Sequence, residues 1–257
     1  MDLKVNREHN LGRKIFPIII FLALVVYPAA VYAQPLPGID LKVSPTDSPG
    51  EVVDSVKLLV LLSVLALAPA FLLMVTSFTR IIVVLSLLRG AIATPMSPPN
   101  QVLVGLALFL TMFIMSPVYN QVNDKAIKPY MENRITQQQA MDEAYKPLRT
   151  FMLKQTREKD LSLFFAISKT ERPRSADDVN ISVLVPAFVI SELKTAFQMG
   201  FLLYVPFLII DIVVASTLMS MGMFMLPPVM ISLPFKLLLF VMVDGWYLVV
   251  KSLVESF

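Results

Sequence analysis

The 257-residue chain contains no cysteine, so disulfides, thiolate metal ligands and a thiol nucleophile are all excluded. It has one histidine, His9, inside a stretch that reads as a leader. The mature protein would then have no imidazole for metal ligation or for general-base work near neutral pH. Charge is scarce too: 16% of residues are Asp, Glu, Lys or Arg, against about 25% in a typical soluble domain. No HExxH, GxSxG, Walker or dinucleotide glycine pattern occurs. The net charge of +3 is small, and the basic residues do not alternate with aromatics along a polar face as a nucleic-acid platform requires. A chain so depleted is expected to be neither an enzyme nor a nucleic-acid binder, and to carry no cofactor.

What remains is apolar. Hydrophobic residues make up 56% of the chain, above the about 45–50% of soluble domains, and they lie in long blocks rather than at core periodicity. The expected class is an all-α, polytopic membrane protein of helical hairpins with broken helices and a small extracytoplasmic helical region.

Lys4, Arg7, Arg13 and Lys14 precede an apolar run from Ile15 to Val31 and the small-residue site Val31-Tyr32-Ala33. This pattern predicts a signal peptide over 1–33, cleaved before Gln34. A Pro-, Asp- and Ser-rich tether over 34–54 should follow outside the cytoplasm. The first hydrophobic hairpin is expected over 55–118, with spans at about 58–75 and 102–118. The connection between them, 76–101, holds Arg80 and Arg89 and no acidic residue, which places it in the cytoplasm. By parity the polar segment 119–180 is periplasmic. In it, Met141, Ala144, Tyr145, Leu148, Phe151 and Met152 recur at helical spacing. Pro147 predicts a kink or a meeting of two helices there. Phe151, Phe164 and Phe165 offer more aromatic surface than a short helical pair buries, which points to subunit packing. A second hydrophobic hairpin is expected over 181–257.

Prolines interrupt every apolar block, and each frees a carbonyl that lipid tails cannot satisfy. Glu192, Lys194, Asp211, Lys236 and Asp244 also fall in apolar sequence, where a charge costs about 2.5–3.5 kcal/mol and turns toward protein or water. With Arg80 and Arg89 they form the expected set of buried ionisable groups, and together these features predict an oligomer. Asp211 and Asp244 lack the Gly-x-Gly-Asp signature of intramembrane aspartyl proteases, which excludes an acid dyad. The run Met219-Ser220-Met221-Gly222-Met223-Phe224-Met225-Leu226-Pro227-Pro228 is more specific. Methionine is unbranched and deformable, so a ring of it can close on itself and still yield to changing cargo.

Several segments occur in order: SFTRIIVVLSLLR, SPVY, LFFAISK, LVPAFVISELKTAFQMGF, IIDIVVASTLMSMGM and LPFKLLLFVMVDGW. Over nearly all of Ser55 to Phe257 the chain resembles the FliP family of flagellar type III export-gate subunits, related to the R-type proteins of virulence secretion systems. The resemblance implies a homo-oligomer of five such subunits, joined by FliQ and FliR type subunits. That assembly sits in the inner membrane at the flagellar basal body, with unfolded flagellar proteins as cargo. It also implies hairpins packed between subunits, and a gasket loop projecting into the lumen at Met223, Phe224 and Met225. Phe224 stands where related chains often have methionine, which implies a stiffer seal. A small-solute transporter is the alternative that broken helices and intramembrane charges also fit, but no duplicated half is evident.

Overall fold

The computed structural model describes residues 49–169 and 178–257; the expected leader and most of the tether lie outside them. The elements in order are α1 (Pro49–Met74), α2 (Phe78–Ala91), α3 (Asn100–Val122), a π turn (Asn123–Ile127), α4 (Lys128–Met131) and α5 (Gln137–Gln155). They are followed by α6 (Glu158–Ser168), α7 (Ile181–Ser220), α8 (Pro228–Met242) and α9 (Gly245–Glu255). No strand occurs among the described residues, so the fold is all-α.

Among the described residues two helical stretches are long and apolar enough to cross a membrane: 100–131, which runs through α3, the π turn and α4, and the 40-residue α7. The pair α8 and α9, bent by 64° at residues 243–244, makes a third if it acts as one broken span. The expected first span, 58–75, falls in α1, where the apolar part is Val56–Phe71, shorter than the about 20 residues a bilayer takes.

Residues 59–257 form one compact unit. Its main core is built on α2, whose Ile81, Val84, Leu85 and Leu88 recur at spacings of three and four and are fully buried. They pack on Leu103 and Ala107 of α3, Ala196 and Phe207 of α7, Phe240 of α8, and Val249 and Leu253 of α9. The connection 76–101 thus contains a well-buried 14-residue helix, Phe78–Ala91, followed by turns over 92–99. The charge argument bears on sidedness alone and does not register that the apolar residues of this stretch form one continuous stripe.

The second core joins Met152 of α5, Phe165 of α6, Val179 just ahead of α7, and Val183, Leu184 and Phe188 in its early turns. Both flanking starts are capped. Thr136 Oγ1 accepts from the Gln139 amide (3.4 Å) while Gln139 Oε1 accepts from the Thr136 amide (2.9 Å), a capping box that satisfies two orphan donors. Asn180 Oδ1 accepts from the Ser182 amide at the start of α7 (3.0 Å).

Of the two outcomes expected at Pro147, a meeting of separate helices does not occur: α5 runs through the proline, which is buried. Pro117 also lies inside a helix, since α3 continues past it into the π turn, beyond the expected end of the second span at about 118. Pro186 and Pro206 likewise lie inside α7. One missing rung costs about 3 kcal/mol, and each of these helices continues through its prolines.

Candidate pore loop and buried ion pairs

The methionine-rich run leaves helical geometry where the sequence places a glycine. At the end of α7, Met223 N donates to Leu218 O (2.9 Å) and Gly222 N donates to Met219 O (3.1 Å). This is a Schellman closure, and it needs a left-handed residue at the position Gly222 occupies with φ +77°. A side chain there would be strained. The chain then stays irregular until Pro228, the first residue of α8, where a missing N–H costs nothing. Between these stops Met223 is partly exposed, Phe224 is 77% exposed and Met225 is 97% exposed. Two large apolar side chains, Phe224 and Met225, thus stand largely uncovered at the tip of an apolar hairpin, with Met223 partly covered beside them.

The hairpin is tied below its tip. Asp211 of α7 accepts from Lys236 Nζ (2.6 Å) and from Ser232 Oγ (2.5 Å), both on α8. At 1.5 Å per residue the tie lies about 12–14 Å from the loop. Lys236 is buried and Asp211 half-buried, so each charge is met by protein.

A second pair sits in the core. Arg80 on α2 faces Glu192 on α7, and both are shut off from solvent. Arg80 Nε donates to Glu192 Oε2 (2.9 Å), while Nη2 donates to Glu192 Oε1 and to Gln155 Oε1 (3.0 Å) at the end of α5. Nη1 donates to the main-chain oxygen (2.7 Å) and Oγ (3.0 Å) of Ser256. Five N–H donors therefore have five acceptors, and the Phe257 ring covers the guanidinium at 3.9 Å. Only a full set of partners makes burying this charge tolerable.

The other ionisable residues differ. Arg89 is half-buried and closes the turn after α2, donating to Pro98 O (3.2 Å) and Asn100 Oδ1 (2.6 Å). Lys194 and Asp244 are exposed on the chain, against the expectation of burial. Lys194 lies two residues from Glu192, a turn of about 200° that carries it to the opposite face of α7. Asp244 sits at the bend between α8 and α9 with φ +52°. Asp211 is committed to Lys236, so these two aspartates supply no free acid pair.

The aromatics assigned to subunit packing are spent inside the chain. Phe165 is buried, and Phe151 packs on Phe188 (5.9 Å between ring centres) and on Phe257 (6.2 Å). Phe164 is partly buried against the same core. The early turns of α7, which the sequence reading assigned to the membrane block alone, provide the missing surface. Sequence reasoning also missed Gln155, Ser256 and Phe257 as partners of Arg80, because nothing local signals contacts across more than 70 positions.

Long apolar helices, charges satisfied in pairs and an exposed apolar loop define a helical membrane-type protein. Among the described residues no cluster could hold a metal ion. The family model for the FliP family matches residues 61–253, and the chain belongs to that family. Relatives bear the name flagellar biosynthetic protein FliP. The one from Bacillus subtilis is 58% identical over 212 residues, 82% of this chain and 96% of the relative. That from Pectobacterium carotovorum is 54% identical over 236 residues (92% and 91%), and that from Aquifex aeolicus 48% over 238 (92% and 98%).

Proposed function

We propose that the chain is a core subunit of the flagellar type III protein export gate in the bacterial inner membrane, at the flagellar basal body, and lines the conduit for flagellar proteins. The observation that carries this reading is the exposed Met223-Phe224-Met225 loop at the tip of a tied apolar hairpin, in a chain whose relatives are flagellar biosynthetic proteins. Irregular apolar backbone at membrane depth is tolerated where it lines a cavity. A ring of such side chains excludes water and ions by dewetting, without a charged filter. The chain acts as a passive gate and no enzyme, with energy supplied elsewhere in the machine.

The subunit works as a homo-oligomer, a pentamer by family resemblance, with FliQ and FliR type subunits. The exposed apolar faces support this: Phe109, Met112 and Phe113 on α3, and Phe201 and Leu202 on α7, are largely exposed among the described residues. An apolar groove of about 480 Å³ between α7 and α8, walled in part by Ile210, Val214, Ile231 and Phe235, adds surface for a neighbour. With Phe165 spent internally, Leu163 and Ile167 of α6 and Met141 of α5 become the outer segment's contact residues. The mature chain begins at Gln34, and residues 119–180 lie in the periplasm.

Removing the gene from a flagellated host and returning it tests the reading. Flagellar hook and filament proteins should vanish from the medium and reappear on complementation. Continued export without the chain would refute it.

A further inference from the structure

The two residues that follow α9 contact elements far from them in sequence. Ser256 supplies two of the five acceptors of Arg80, and Phe257 lies across the guanidinium. Phe257 is in turn held by α5: its main-chain oxygen accepts from Gln155 Nε2 (3.0 Å) and from Lys154 Nζ (2.7 Å), and its ring stacks on Phe151 at an interplanar angle of 17°. Gln155 closes the ring of contacts, since its Oε1 accepts from Arg80 while its Nε2 donates to Phe257, 102 residues away. Gln155 therefore reads both partners at once. The other end of the same arm, through the bend into α8, leads to the methionine loop.

We propose that Ser256 and Phe257 form a latch that fixes the α8–α9 arm to the end of α5 through the buried Arg80, so that the arm carrying the pore loop and the outer helical region move as one body. The latch is a statement about coupling within the chain and stands apart from the gate reading; what the arm carries rests on that reading. Three features distinguish it from ordinary packing. The guanidinium sits at the junction of α2, α5, α7 and the segment after α9. Its charge makes partial opening costly, because releasing Ser256 leaves buried donors unpaired. The cover is an aromatic face, the surface that best meets a guanidinium.

Hydrogen exchange on the full chain extracted in its native assembly tests the coupling. Phe257→Ala should speed amide exchange about tenfold both in α9 and at 150–157, two stretches remote in sequence, with α6 unchanged. Phe257→Tyr keeps the ring and should restore the parent rates, which a loss of general stability would not allow. Gln155→Ala, a milder change on the other side, should loosen the end of α9. Exchange that rises only at residues 245–257 in Phe257→Ala, or a Gln155→Ala protein with an unaltered α9, would overturn the latch.

Discussion

At the scale of the residue, the fold depends on a few charges with complete partner sets. Arg80→Ala would leave Glu192 buried and uncompensated, a change that costs about 3–5 kcal/mol where a buried pair is broken. Denaturant midpoints of the membrane-extracted protein should fall accordingly, with Arg80→Lys failing to rescue, because an ammonium cannot span Glu192, Gln155 and Ser256 together. Gly222→Val should be costly for another reason: a β-branched residue at φ +77° costs roughly 1–2 kcal/mol or more. Its expected signature is fraying at the end of α7 with α8 intact. These residues were partly visible in the sequence. A glycine among methionines ahead of a double proline announces a break, and a charge in apolar sequence announces a partner. Which partner was not visible, since Arg80 and Glu192 are 112 residues apart.

At the scale of the element, the tie between α7 and α8 should behave as a pair. Lys236→Met alone leaves Asp211 without its counter-charge and with the Ser232 hydroxyl as its remaining partner on α8, and with Asp211 about one-third exposed the cost is about 1–3 kcal/mol. Adding Asp211→Leu should recover most of that loss, a non-additivity that a double-mutant cycle on thermal midpoints would read. Additive losses would show that the two side chains do not act together. Helix boundaries show where sequence reasoning stops. The methionine run was legible as irregular because both of its flanks carry strong backbone signals. Pro117 and Pro147 both lie inside helices that continue past them, because each lost rung is small beside the packing of the helix that contains it. The α2 helix was obscured by its arginines: one charge enters the core with its partners, which a rule based on charge and side cannot anticipate.

At the scale of the whole molecule, the class and the family were legible, whereas the assignment of surfaces was not. Phe151, Phe164 and Phe165 exceed what residues 119–180 bury alone, and the early turns of α7 supply the remaining surface. Long-range packing of this kind leaves no periodic trace in either partner. Topology is open to direct test, and the absence of cysteine makes single labels clean. Cysteines at Lys128 and Lys169 should react with an impermeant reagent in intact spheroplasts; protection until lysis would invert the proposed sidedness.

The central claim is that the loop of Met223, Phe224 and Met225 closes a protein-conducting lumen at rest. All three are exposed on the chain and none contributes to either core, so replacing them together by alanine should leave folding and assembly intact while removing the bulk that excludes water. Ion conductance across the inner membrane of cells making the complete gate is the measurement. The account predicts that the triple variant assembles normally and leaks. A triple variant that assembles normally with a membrane as tight as the parent's would contradict it.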